Sequence, residues 1–246
     1  MRTIAKKGSP EKPKFGGQGR SGAFAFAAIM RFRTVLFDLD GTLVDHLRAI
    51  HRSYCHTLPQ LGYPAPTFEQ VRAAIGGGLE NAMRKFLPEE KIHAALEIYR
   101  PYWDRTMLDD PELMPGALEL LTWLNAQGVA CAVFSNKHGP SGRRLCQHLG
   151  ITPHVKAVFG AQDTPWVKPQ PEFARHVLNQ LGADADTTLL VGDSPFDVKA
   201  AKNGGLGACW CVTTGTHAAA DLTEAGADRV FPGLPALQGA LESGVA

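Results

Sequence analysis

The chain has 246 residues, 44% hydrophobic and 20% charged, a balance that supports one large or two smaller globular domains with a substantial core. Its formal net charge of +1 supplies no field that would recruit nucleic acid or an acidic membrane surface. The five cysteines, Cys55, Cys131, Cys146, Cys209 and Cys211, are an odd, scattered set. They make no disulfide framework and point to a reducing, cytoplasmic setting.

Cys209 and Cys211 would share one side of a strand, but no second pair follows at zinc-like spacing. They read as small buried thiols. No apolar run is long enough to span a bilayer. Residues 1–29 are rich in Gly, Lys and Arg before a short apolar run. They read as a disordered tail or as a misassigned start with Met30 as initiator, ahead of a targeting segment.

In chain order, residues 34–38 are the first strand, Thr-Val-Leu-Phe-Asp, ended by Gly41. Leu47, Ile50, Tyr54, Leu58 and Leu61 recur at helical spacing over 46–61 and stop at Gly62. Thr67 with Gln70 predicts a capping box for a helix over 68–75. Gly76, Gly77 and Gly78 break that helix, and further helices are expected over 79–87 and 89–108. The whole of 46–112 thus reads as helical, without a strand.

After Pro115 the rhythm changes. Strands at 129–134, 155–159, 187–191, 207–212 and 229–231 alternate with helices near 116–127, 141–149, 171–182, 196–203, 218–225 and 234–242. Such alternation with short loops implies a parallel sheet covered on both faces. The expected fold is a doubly wound α/β core, residues 30–45 and 113–246, interrupted by an all-helical insertion over 46–112.

Ligands of such sheets bind at the carboxyl ends of the strands. The polar residues there are Asp38 to Thr42, Ser135 to Lys137, Lys168-Pro169, and Gly192 to Ser194 with Asp197. Asp38 and Asp40 stand two apart at a strand end, so both can face one site. With Asp193 they form an acidic cluster that suits a hard divalent ion, Mg²⁺ being the usual choice beside phosphate. Lys168 offers a point charge to phosphate oxygens, and Ser135 with nearby amides offers hydrogen bonds. A nucleophile, an acid, a metal and cationic clamps describe phosphoryl transfer.

The run Asp38-Leu39-Asp40-Gly41-Thr42-Leu43-Val44-Asp45 resembles the first motif of the haloacid-dehalogenase-like phosphohydrolases. Ser135-Asn136, Lys168-Pro169 and Gly192-Asp193-Ser194 with Asp197 resemble the other three, in order, at the expected strand ends. The resemblance implies that Asp38 is the nucleophile and that Asp40 is the acid and then the base. It implies Mg²⁺ between the carboxylates of Asp38 and Asp193 and the backbone carbonyl of Asp40, with Asp197 orienting the metal's waters. Ser135, the Asn136 amide and Lys168 would hold phosphoryl oxygens. Thr42, grouped with that phosphate-binding set, would brace the loop.

The position of the insertion resembles a mobile helical cap, with Gly76, Gly77 and Gly78 as the loop that reaches the substrate. The features together resemble phosphoglycolate phosphatases and imply a small phosphorylated metabolite as partner. A sugar-phosphate mutase of the same superfamily and an aspartate-phosphorylated signalling module are the alternatives. Lys137 and His138 read equally as substrate contacts or as a solvated loop. His46, His51 and His56 spiral round a helix and are not read as ligands, although His46 stands where the superfamily often has a small polar residue and bears on substrate choice. Trp103, Trp123, Trp166 and Trp210 read as packing residues, with Trp166 near the site rim.

Overall fold

Residues 31–244 are described by the structure, a computed structural model; the expectations for residues 1–29 lie outside them. The strands are β1 (Thr34–Phe37), β2 (Val44–Asp45), β3 (Glu112–Leu113), β4 (Ala130–His138), β5 (Val158–Ala161), β6 (Thr188–Gly192), β7 (Ala208–Val212) and β8 (Arg229–Phe231). The helices are α1 (Leu47–Thr57), α2 (Phe68–Ala74), α3 (Leu79–Met83), α4 (Glu89–Thr106), α5 (Ala117–Ala126), α6 (Gly139–His148), α7 (Pro171–Leu181), α8 (Pro195–Gly204), α9 (Ala219–Ala225) and α10 (Leu234–Glu242).

Six strands form one parallel sheet in the order β5-β4-β1-β6-β7-β8. Period-two alternation divides their side chains between two cores. Val35, Phe37, Leu189 and Val191 join the core that holds Leu121 of α5, Leu145 of α6 and Leu237 of α10. Leu36, Leu190, Cys209 and Cys211 join the opposite one, with Phe173 of α7, Val198 of α8 and Leu222 of α9. This is the α/β sheet covered on both faces that the alternating pattern implies. Cys209 and Cys211 do share a side, their sulfurs 3.9 Å apart, and all five cysteines are free.

The segment between β2 and β3 holds α1 to α4. It leaves and returns through an antiparallel pair, Val44 opposite Leu113 and Asp45 opposite Glu112, so both ends of the insertion sit side by side. The expectation of no strand in 46–112 therefore fails at its last residue, Glu112. A two-residue strand carries too little pattern to be read from sequence. The capping box forms as expected, with Thr67 N–H donating to Gln70 Oε1 at 2.8 Å and Gln70 N–H to Thr67 Oγ1 at 3.2 Å.

Other boundaries move for physical reasons. The helix expected over 79–87 stops at Met83 and gives way to tighter turns, with Lys85 N–H donating to the Ala82 carbonyl and Phe86 N–H to the Met83 carbonyl. β4 runs four residues past the expected 134, to His138. Apolar alternation ends at Phe134, but the polar continuation stays paired with β5 across a register irregularity. β5 begins at Val158 rather than 155, because a 3-10 turn over Thr152–His154 with Pro153 precedes it.

Helices α1 and α4 pack through aromatic side chains. Tyr54 meets Tyr99 edge-on with ring centroids 5.6 Å apart, and Tyr99 stacks on Trp103 at 5.8 Å. Tyr54 is 1% exposed, and among the described residues its hydroxyl has no hydrogen-bond partner. A buried unpaired hydroxyl carries a desolvation penalty. Tyr54→Phe is therefore expected to leave stability unchanged or raise it by about 1 kcal/mol. Urea unfolding of the variant measures this, and a clear loss of stability would contradict it.

Candidate active site

The carboxyl ends of β1, β4, β6 and β7 lie along one edge of the sheet, and the loops that follow them converge. Asp38 and Asp40 follow β1, Ser135 and Asn136 lie in the end of β4, and Asp193 and Ser194 follow β6. The loop between β5 and α7 brings in Lys168, whose side chain is 1% exposed. Its ammonium lies 3.0 Å from Asp38 Oδ1 and 2.6 Å from Asp197 Oδ1.

Asn136 aligns that lysine from across the site. Its Oδ1 accepts the Lys168 N–H at 2.7 Å and its Nδ2 donates to the Lys168 carbonyl at 3.0 Å. The Asn136 side chain is thus committed to the Lys168 backbone rather than to a ligand. Ser135 is buried, and its Oγ accepts the Lys137 N–H at 3.2 Å.

Asp197 is fully buried in the first turn of α8. Its Oδ2 accepts from Asp193 N–H, Ser194 N–H and Ser194 Oγ at 3.2, 3.0 and 2.6 Å. Thr42 Oγ1 donates to Asp193 Oδ1 at 3.0 Å. The grouping of Thr42 with the phosphate ligands needs correcting accordingly. Its hydroxyl proton goes to Asp193 and its backbone N–H to the Leu39 carbonyl, so the residue braces the β1 loop against the β6 loop.

Two glycines crowd Asp193. A Cβ on Gly41, whose φ is +87°, would stand 2.6 Å from Asp193 Oδ2, and one on Gly215 would overlap the same carboxylate. Gly215 and Thr214, whose Oγ1 donates to the Gly41 carbonyl at 2.7 Å, were not singled out from the sequence. They follow β7, the strand next to β6, so the same strand-end rule could have found them.

Carboxylate oxygens of Asp38, Asp193 and Asp197 lie within 4.8 Å of one another. Burial raises Asp38 to about 6, against the opposing pull of Lys168. Burial also drives Asp193 well above the ordinary carboxylate range, reinforced by the charges of Asp38 and Asp197. Burial works against the charge on Lys168, but Asp197 and Asp38 outweigh it and raise its pKa. One ammonium facing three buried carboxylates leaves negative charge that calls for a proton or a cation. An all-oxygen donor set fits Mg²⁺.

The Asp40 side chain stands apart from that group. Lys137 Nζ donates to both of its oxygens at 2.9 Å. Burial alone would raise Asp40, but the Lys137 ammonium outweighs it and holds it well below the ordinary range. Of the metal ligands expected, Asp40 can therefore contribute only its backbone carbonyl. Lys137 is no solvated loop residue, since its side chain is 6% exposed.

A cavity of about 780 Å³ joins this edge to the insertion. Asp38, Asp40, Ser135 and Asp193 line it, with Gly76, Gly77 and Gly78 on the side of the helices. Gly78 approaches the core closely, a Cβ there falling 3.6 Å from the Asn136 carbonyl at a φ of +87°. Trp103 of α4 also lines the cavity, whereas half-buried Trp166 packs its ring against the core on the α7 side, between Pro165 and Val167 of the cavity lining.

The raised Asp38 pKa fixes the sign of a pH effect. In the fold this group binds its proton more tightly than in the unfolded chain. Its stabilising contribution is full below the unfolded value of 3.8 and is lost as pH rises through about 6. With chelator present, the Asp38 contribution is expected to fall by about 3 kcal/mol between about pH 4 and pH 7. Added Mg²⁺ should restore stability at the upper end. Urea unfolding with and without Mg²⁺ checks this, and a rise in metal-free stability over that window would contradict it.

The profile of the family described as haloacid dehalogenase-like hydrolase matches residues 35–211. "Probable phosphatase IndB" of Dickeya dadantii is 36% identical over 189 residues, 74% of this chain and 82% of that protein. "Phosphoglycolate phosphatase 1" of Pseudomonas aeruginosa is 33% identical over 205 residues, 79% of this chain and 74% of that protein. The solved structure of a haloacid dehalogenase-like family hydrolase from Streptococcus pneumoniae superposes with a TM-score of 0.74 at 25% identity, over 81% of this chain and 93% of its own. The four strand-end motifs, the buried lysine among aspartates and the family profile across most of the sheet have one reading: the chain belongs to the haloacid dehalogenase-like hydrolase family.

Proposed function

We propose that this chain is a magnesium-dependent phosphatase that hydrolyses a small phosphorylated metabolite through an aspartyl-phosphate on Asp38. The observation that carries the reading is the buried Asp38, 3.0 Å from the Lys168 ammonium, lining a cavity that Asp40 shares. In this reading an Asp38 oxygen attacks phosphorus and the bond to the leaving alcohol oxygen breaks, while Asp40, ionised at rest, relays to that oxygen the proton that the phosphate ester brings as its monoanion. A water then attacks phosphorus, transfers a proton to Asp40, and frees Asp38 and inorganic phosphate.

Lys168 and the Ser135 hydroxyl offset charge on the phosphoryl oxygens. Asn136 acts by holding the Lys168 backbone. Mg²⁺, held by the carboxylates of Asp38 and Asp193 and the carbonyl of Asp40, would neutralise charge on the transferring group. Asp197, whose oxygens already accept four donors, orients Lys168 and the Asp193 loop. Residues 46–112 act as a cap over the strand ends, with Gly76 to Gly78 next to the substrate. The names of the relatives put 2-phosphoglycolate first among substrates to test.

Phosphate release from 2-phosphoglycolate, sugar phosphates and pyrophosphate, with Mg²⁺ or with chelator, tests the reading. Mg²⁺-dependent release is expected, and none from any ester would sink the phosphatase reading and move attention to a mutase. Asp38→Asn keeps the side chain's size but removes the nucleophile. It should lower turnover by at least about a thousandfold while circular dichroism stays unchanged. Retained activity in the pure, folded variant would remove Asp38 from its role.

A further inference from the structure

The carboxylate of Asp40 is enclosed by residues from three separate segments. Lys137 of β4 holds both of its oxygens at 2.9 Å. The same ammonium stands 4.7 Å from the centre of the Trp103 ring, on α4 of the insertion. Trp103 is itself fixed: its Nε1–H donates to Ser141 Oγ at 3.2 Å, and its ring lies 4.8 Å from that of His46. The short contact of 2.6 Å from His46 Nε2 to the Met107 carbonyl requires the proton on Nε2. His46 Nδ1 then faces Asp40 Oδ1 at 3.6 Å, with no hydrogen-bond partner among the described residues.

A lysine side chain has four rotatable bonds and loses much freedom when held in one geometry. A desolvated aromatic face over the ammonium offsets part of that cost. The arrangement orients the Asp40 carboxylate from the core through Lys137, and orients Lys137 from the insertion through Trp103. His46 walls a further side and ties it to the end of α4, leaving the Asp40 carboxylate open to the cavity.

Resting on the aspartyl-phosphate reading, we propose that Lys137 and Trp103 are positioning residues that align Asp40 to take the proton of the attacking water, and so set the rate at which the phosphoenzyme breaks down. In that step water oxygen bonds to phosphorus, the phosphorus–Asp38 oxygen bond breaks, and the water's proton passes to Asp40. Formation of the phosphoenzyme from an ester with a good leaving group needs no proton from Asp40 and bypasses the device.

The test uses 2,4-dinitrophenyl phosphate and Mg²⁺ with the full chain. Rapid mixing reads the first release of dinitrophenolate, and acid quenching reads the phosphoenzyme. Trp103→Leu should keep the first release within about threefold of the parent while steady-state turnover falls at least about tenfold, with a burst approaching one equivalent and phosphoenzyme accumulating. Trp103→Phe, which keeps a ring face over Lys137, should recover most of the turnover.

Equal loss of the burst and the steady state, or no accumulation in folded Trp103→Leu, would overturn the proposal. Should circular dichroism show that Trp103→Leu does not fold, Lys137→Met decides by the same two readouts. A parent protein that turns over normally beside variants without a burst removes only the positioning role. A parent protein that releases no dinitrophenolate removes the phosphatase reading and this inference together.

Discussion

The site depends on one buried ammonium. Lys168 sits between Asp38 and Asp197 at 3.0 and 2.6 Å, almost without solvent. Placing three carboxylates within 4.8 Å of one another is unfavourable unless charge is returned to them, and a buried ion pair holds only if its remaining donors and acceptors are satisfied. The surrounding loops meet that requirement. Asn136 clamps the Lys168 backbone on both sides, and three donors fill the second oxygen of Asp197. Glycine at 41 and 215 lets two loops close on Asp193.

Two aspartates only two residues apart are driven in opposite directions. Burial raises Asp38 to about 6, whereas the Lys137 ammonium overcomes burial at Asp40 and holds it low. In the proposed role of nucleophile Asp38 has to be ionised, which calls for a cation beyond Lys168, and a divalent ion favours the carboxylate. Asp40, gripped in its ionised form, is prepared to accept a proton. The difference comes from partners on distant segments: Lys168 and Asp197 for one, Lys137 for the other.

The helical insertion contributes to that difference as well as roofing the cavity. It departs and returns through the β2–β3 pair, so its helices stand over the strand ends. Trp103 and the Met107 carbonyl, both near the end of α4, reach the surroundings of Asp40. The tyrosines and Trp103 that join α1 to α4 therefore connect the packing of the insertion to the carboxylate chemistry.

Much of this was legible in the sequence. Apolar runs of four or five residues, broken by glycine and alternating with helical periodicity, decide a covered parallel sheet. The strand-end rule then places Asp38, Ser135, Lys168 and Asp193 along one edge, because each lies in the end of its strand or in the loop that follows. Polar continuations escaped that reading, as with β4 beyond Phe134. Tertiary structure alone decided which lysine serves which aspartate, that Thr42 braces Asp193, that Trp103 faces the cavity while Trp166 turns away, and that His46 is buried beside Asp40. Periodicity and spacing act along one segment, whereas these contacts join residues up to 151 positions apart. They exist only once the sheet order and the seating of the insertion have brought the segments together.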